Sequence, residues 1–447
     1  MSALEEHRAK ILKRASIFCH SDEEYSGLFP EEKAQLWESI NRLRETTSTF
    51  ESLDQTECDL TEVSTNRLNV SEKNWNSLPT ELQSLVCEFA YQKPTKRGEL
   101  NRLNMIDKRT HSLSVPFRFR ALRLSYEDYV HDLLGLFYYI LPKYATYIRE
   151  LHLSSPRPVC MRQSTQAIAL MEVAICFLPR LSLVNFLHPV RLFPKELFKT
   201  LKIIQAPTLA HASLYAYQNQ SLSSLENSAP RFIQACRSLT SLSIDCLRYL
   251  NALDFRKFGA IIASLPSLQV LFCKGMEVNI LFDNVEWQSQ LVELTLIRKP
   301  RKYPHFNYTH PLVSNQIFFK EILAPHAKSL KYLTLDDYIL HSSPGIFRME
   351  SLDGLQLINS SIDPDFLFSV TSLCDLRIHE SQTRLWGWQE PLKKELLQKR
   401  LRRLEVDQKD FSATDLSEIL GICLERNVVL EAWEGNSWSR MYKPLEG

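Results

Sequence analysis

The chain of 447 residues carries 53 Lys and Arg against 52 Asp and Glu, and 44% of it is hydrophobic. Such a balance excludes bulk association with nucleic acid or an anionic membrane, which calls for a strongly basic face, but leaves room for a local basic patch. The length accommodates two or three ordinary domains, or one extended repeat domain beside a small one.

Residues 1–74 read as a partly helical leader followed by a flexible linker. The opening MSALEEHRAK lacks the apolar core of a signal peptide, and no run of 18 apolar residues occurs, so neither export nor a transmembrane helix is expected. The sequons at Asn69, Asn219, Asn307 and Asn359 are then chance matches. LEEHRAKILKRA and FPEEKAQLWESINRL have helical spacing, the second with Leu36, Ile40 and Leu43 on one face. After Arg44 the Ser-, Thr- and acid-rich run TTSTFESLDQTECDLTEVSTN reads as the linker. Adjacent Cys19 and His20 lack the separation that a metal or catalytic pair needs. No two of the ten cysteines form a Cys-x-x-Cys pair, and several fall at apolar positions, as do Cys87, Cys176 and Cys273. They read as small buried hydrophobes of a cytosolic or nuclear protein.

Residues 75–118 form two short helices. In WNSLPTELQSLVCEFA, Pro79 suits a first helical turn and Glu81 favours the helix dipole. Leu82, Leu85, Val86 and Phe89 then fall at i, i+3, i+4 and i+7, one apolar stripe. YQKPTKRG breaks the helix, and a second follows with Leu100, Leu103, Ile106, Thr110 and Leu113 on its face, ending at Pro116. Two such helices bury little of their own surface and must lean on the following domain or on a second protein.

From about 119 to the end an internal repeat appears. The phrase apolar-x-x-apolar-x-apolar recurs as FRALRL, IRELHL, LSLVNF, LTSLSI, LQVLFC, LVELTL, LKYLTL, LDGLQL, LCDLRI and LRRLEV. Between middle apolar residues the steps include 271−242 = 29, 294−271 = 23, 355−333 = 22 and 376−355 = 21. The doubled step 242−184 = 58 predicts a degenerate unit near residues 212–217, and VVLEAW at 428–433 reads as a capping unit. Amphipathic stretches between the phrases predict a strand followed by a helix every 20–29 residues, the leucine-rich-repeat pattern of an α/β solenoid, or horseshoe.

If the apolar residues of each phrase point inward, the residues between them face the concave surface. Those central positions are Arg123, His152, Asn185, Ser243, Phe272, Thr295, Thr334, Gln356, Arg377 and Glu405. The row mixes charges, hydroxyls and one aromatic, and names no ligand class. Two insertions stand out. RKPRKYPHFNYTHP (298–311) reads first as a surface loop, with a grip on an acidic peptide or RNA as the sharper alternative. TRLWGWQEP (383–391) carries Trp386 and Trp388, which either pack on the solenoid or offer interaction hot spots.

The helix pair resembles the F-box, through Leu78-Pro79, Glu81-Leu82, Leu85-Val86, Phe89, Leu100, Leu103, Met105-Ile106 and Lys108-Arg109. Thr110 departs from the aromatic residue the family often places after that basic pair. An F-box-like pair directly before leucine-rich repeats resembles the substrate receptors of Skp–cullin–F-box ubiquitin ligases. That resemblance implies a Skp-family linker bound by Leu78, Pro79, Leu82, Leu85, Val86, Phe89, Leu103 and Ile106. It also implies a cullin reached through the linker and an unidentified protein substrate on the repeats. From Lys93 to Arg123, nine Lys/Arg against Glu99 and Asp107 give a local +7, suited to an acidic partner.

Phosphate-binding loops, His-Glu-x-x-His, Gly-x-Ser-x-Gly and closely spaced Cys/His zinc patterns are all missing from the sequence. No catalytic residue, metal or cofactor is therefore expected, and neither is a membrane or nucleic-acid partner. The alternative without a ubiquitin role is a repeat scaffold whose helix pair only caps the solenoid and buries its stripe there. A third class, an RNA-binding repeat protein using 298–311, would show steeply salt-dependent binding.

Overall fold

The computed structural model describes residues 3–20, 28–53, 78–92, 108–125, 130–154, 161–188, 190, 193–216, 229–246, 252–275, 278–298, 318–340, 348–362, 370, 372–379, 400–407, 413–434 and 437–442. It is an α/β chain that divides into two compact units, 1–188 with 192–209, and 189–191 with 210–447.

In the first unit, strands β1 (Ala121–Ser125), β2 (Glu150–Ser154) and β3 (Leu183–Phe186) pair in parallel and in chain order. Their apolar residues turn to one side, where Leu124, Leu151, Leu153, Val184 and Phe186 are buried. Phe186 stacks on Phe198 at 5.2 Å and meets Phe193 edge-on at 5.1 Å.

The leader belongs to this unit's core. Helix α1 (Ala3–His20) packs on α7 (Met161–Cys176) and α8 (Lys195–Ile204), burying Ile11 and Ala15. Helix α2 (Pro30–Leu53) packs on α1 and on the helical turns 136–144, burying Leu36, Ile40 and Leu43, the face expected from their spacing. The linker expected after Arg44 is helical as far as Leu53, and residues 54–77 lie outside the described residues.

A buried polar knot fastens α1. Arg14 pairs with Glu172 at 3.0 Å, the Thr200 hydroxyl donates to Glu172 at 3.1 Å, and His7 Nε2 lies 3.4 Å from Thr200 Oγ1. Tyr138 donates to the Glu32 carbonyl at 3.1 Å, tying α2 down in the same way. Burial pushes the Glu172 carboxyl above the usual carboxylate range, against the pull of Arg14 and Thr200. Arg14→Ala should therefore cost about 2–3 kcal/mol, below the range for wholly buried pairs because Arg14 keeps contact with water. A raised carboxyl stabilises the fold below the unfolded value of 4.5 and loses that contribution as pH rises through the folded value. The variant's deficit should thus be smallest at acidic pH and grow towards neutrality. Urea midpoints of both proteins across pH would test this, and a deficit that shrinks with rising pH would contradict it.

Helix α3 (Thr80–Gln92) packs on α4 (Lys108–Arg118), which runs through Pro116 and does not end there as expected. A proline removes one N–H from the ladder, and the carbonyl it leaves open, four residues back at Ser112, is on an exposed residue that water can reach.

In the second unit, strands β4 (His211–Ala216), β5 (Ser241–Cys246), β6 (Val270–Lys274), β7 (Glu293–Ile297), β8 (Tyr332–Asp336), β10 (Gly354–Ile358), β12 (Asp375–His379), β13 (Arg403–Asp407) and β14 (Val429–Glu434) form a parallel ladder. The degenerate unit expected near 212–217 supplies β4. Each apolar position of the phrase becomes a buried column. Leu242, Leu271, Leu294, Leu333, Leu355, Leu376, Leu404 and Leu430 stand in register along the middle one. Each such leucine contributes about 1.5–3 kcal/mol by leaving water, an upper estimate.

Helices α10 (Ala252–Ala263), α11 (Val278–Leu281) and α12 (Ala413–Arg426) lie between strands, as the pattern predicts. The steps of 22 and 21 differ. After β8 and β10 the chain turns at Asp337 (φ 63) and Asn359 (φ 47) into short strands β9 (Ile339–Leu340) and β11 (Ser361–Ile362), which pair with each other. Asp and Asn tolerate this left-handed backbone, and Ser360 Oγ accepts from the Tyr338 N–H at 3.0 Å while donating to the Leu335 carbonyl at 3.0 Å. The expected cap, β14, is followed by an antiparallel strand β15 (Ser437–Tyr442) that the periodicity did not announce. Its signal was the Gly435-Asn436 dipeptide between two six-residue runs, a hairpin pattern.

Candidate functional site

Helix α3 begins where the Pro79 carbonyl accepts from the Gln83 N–H at 3.0 Å, so Pro79 caps the helix and stands just before its first turn. Gln83 and Cys87, four residues apart on one side of α3, and Thr110 and Ser114, four apart on α4, are all at 0% exposure, and the two helices pack together. Among the described side chains, those that the two helices bury completely are thus small or polar, Thr110 among them.

The apolar stripe lies on the other side, in solvent. Leu78 is 36% exposed, Leu82 47%, Leu85 45% and Val86 43%. Phe89 continues the same helix, but its side chain, like Leu103 and Ile106 entirely, lies outside the described residues. At the base of the helix Arg120 binds Glu150 at 2.7 Å and reaches Glu88 at 3.9 Å, so part of the basic patch is spent inside the unit.

The central strand positions do form rows. In the first unit Arg123, His152 and Asn185 are register neighbours, with Asn185 Nδ2 3.3 Å from His152 Nδ1 and His152 3.5 Å from Glu150. In the second unit Ser243, Phe272, Thr295, Thr334, Gln356 and Arg377 stand side by side, half-buried. Ser213 and Glu431 extend the row at either end.

Glu405 departs from the expectation that it lies open on this face. It is buried at 4%, held among Arg377 at 3.7 Å, His379 at 3.7 Å and Arg403. Burial raises its carboxyl above the usual range against the pull of those two arginines.

Register also brings in the residues two places before and after the central row, which sequence reasoning left out. Among the described residues this face of the second unit carries Asp245, Glu293, Asp336, Asp375, Glu405, Asp407 and Glu431, against Lys274, Arg377, Arg403 and Arg440, the register partner of Glu431. Seven carboxylates face four cations. Three of the cations pair with those carboxylates, Lys274 with Asp245 at 2.9 Å, Arg377 with Asp375 at 2.8 Å and Arg403 with Glu431 at 2.7 Å. Tyr332, two residues before Thr334, is 51% exposed on the same face.

Among the described residues no group of three or more His, Cys, Asp or Glu side chains is placed to hold a metal ion. Burial pushes the Cys19 thiol up to about 11, while His20 hydrogen-bonds the Ser16 carbonyl at 2.7 Å and meets Trp37 edge-on. Cys87, Cys176, Cys236, Cys273 and Cys423 are free and buried, and Cys374 is free and half-buried. No helix among the described residues is long and apolar enough to cross a membrane. Residues 299–311 and 383–391, with Trp386 and Trp388, lie outside the described residues. No family model matches this sequence, and no curated protein does.

Proposed function

We propose that this chain is the substrate-receiving adaptor of a Skp–cullin–F-box-type ubiquitin ligase, in the cytoplasm or nucleus. Helix α3 binds a Skp-family linker, and the face of the leucine-rich repeats opposite the buried columns holds a protein substrate. The adaptor performs no bond chemistry. It acts by proximity, raising the effective concentration of a substrate lysine near a charged enzyme.

One observation carries this reading: Leu82, Leu85 and Val86 of α3, with Leu78 just before it, are between 36% and 47% exposed while Gln83 and Cys87 on the neighbouring side are fully buried. A helix serving only as a cap would turn its leucines, not Gln83 and Cys87, towards the rest of the unit. An exposed stripe at i, i+3 and i+4 is the form a helix takes when a groove on another protein covers it. The leucine-rich-repeat assignment draws its support from the parallel strands and the three buried columns made by each phrase.

The test is co-purification with an acidic Skp-family protein, using the full chain beside a Leu82→Glu/Val86→Glu variant. Both residues are in solvent, so the variant should unfold within about 0.5 kcal/mol of the parent. Its binding should weaken roughly a hundredfold, since two half-covered apolar contacts become two carboxylates forced out of water. Absence of binding by the parent, or equal binding by the variant, would remove the adaptor role.

A further inference from the structure

On the open face of the second unit, the Tyr332 ring lies against the bare backbone of Gly354. A Cβ at Gly354 would stand 2.8 Å from Tyr332 Cδ1 and 3.3 Å from Cε1. Glycine therefore lets the ring settle onto the sheet while half its surface stays in water. Directly across on the neighbouring strand is Glu293, register partner of Tyr332, exposed and joined to no cation among the described residues. Glu293 flanks Tyr332 on the side away from Gly354, on a strand about 4.8 Å off, so Tyr332 and the carboxylate border one spot on this face. Thr295, Thr334 and Gln356 offer hydrogen bonds beside it, and Phe272 adds a second half-buried ring one strand further on. Around it the face carries seven carboxylates against four cations, three of which are held by those carboxylates.

We propose that this spot receives a cationic segment of a partner protein, with one Lys or Arg side chain lying on the Tyr332 ring and its charge against Glu293. An aromatic ring attracts a cation through its quadrupole, and an adjacent carboxylate completes the neutralisation. An anionic segment would meet a net repulsion on this face. The assignment rests on the reading of the repeats as the substrate-receiving surface, and it names the class of segment they take.

The experiment measures fluorescence polarisation of the full chain with a labelled twelve-residue peptide of Arg-Gly-Ser repeats, beside its Glu-Gly-Ser counterpart. The basic peptide should bind at least tenfold more tightly at low salt, and its binding should weaken as salt rises. Glu293→Gln and Tyr332→Ala should each weaken it roughly threefold to tenfold. Gly354→Ala, which displaces the ring without removing it, should also weaken binding, whereas Glu425→Gln on the exposed part of α12 should not. No binding of the basic peptide, equal binding of both peptides, or binding unchanged in Glu293→Gln and Tyr332→Ala would overturn the proposal. The Leu82→Glu/Val86→Glu variant should keep the peptide and lose the Skp-family protein. For the parent chain, failure to bind the Skp-family protein with peptide binding intact counts against the adaptor role alone, and Skp binding without peptide binding counts against this site alone.

Discussion

Gly259→Ala is expected to destabilise the second unit by about 3 kcal/mol or more, although helix propensity alone would make the same change stabilising by about 1 kcal/mol. Gly259 lies within α10, on the side that meets α11. A Cβ built there would stand 1.6 Å from the Leu281 carbonyl oxygen and 2.6 Å from its carbon. That overlap is with backbone, which no rotamer change can relieve, so the two helices must part. Their contact holds Ile262, Leu281 and Phe282 at 0% exposure, and parting them opens a cavity in the same place. Gly421 provides the control. It lies in the middle of α12 with nothing within 4 Å of an added Cβ, so Gly421→Ala should be neutral or stabilising by up to about 1 kcal/mol. Urea unfolding of the two variants should move in opposite directions. A Gly259→Ala protein as stable as its parent would mean that α10 and α11 do not approach so closely.

The second large effect is a pH dependence centred on His326. This ring is fully buried, accepts from the Leu291 N–H at 3.2 Å through Nδ1, and meets the Trp287 ring edge-on at 4.6 Å. With Nδ1 accepting, the proton of the neutral ring sits on Nε2, which is buried without a hydrogen-bond partner. A second proton would abolish the bond to Leu291 and strand a charge in apolar surroundings, so burial lowers the pKa from 6.5 to about 4.

A lowered imidazole pKa stabilises the fold fully above pH 6.5. That contribution disappears as pH falls from 6.5 towards 4, because the unfolded chain takes up a proton the native ring refuses. The 2.5-unit difference corresponds to about 3 kcal/mol. Hydrogen exchange of the segment 287–296 at pH 7.5 and 4.5 should show this loss. His326→Gln should be less stable at pH 7.5 but lose less on acidification. Parallel curves for the two proteins would exonerate this residue.

How much of this was legible in the sequence depended on how local the cause was. The strands were legible because three apolar positions per phrase must all be buried, and their spacing repeats. Leu36, Ile40 and Leu43 were legible as one face for the same reason. What α1 and α2 would meet was not, because hydropathy gives a face but not its partner, and Glu172 and Thr200 are far along the chain. Thr110 was legible on the face of the second helix, but Gln83 and Ser114 escaped because they carry no apolar signal. The charge of the open face escaped for another reason. Each phrase displays one central residue, and only strand register shows that Asp245, Glu293, Asp336 and Asp375 share its surface. Residue by residue the row named no ligand; as a surface it has a sign.

The knot between His7 and Thr200 joins residues 193 apart in the chain. At about 5–20 residues per second of translation, α1 leaves the ribosome roughly ten to forty seconds before α8 exists. During that interval α2 can cover part of α1, but the docking site for Ile11 and Ala15 has not yet been made. Helix α1 is thus seated long after it is made, and a nascent chain stalled before residue 200 would present that unsatisfied apolar side to chaperones.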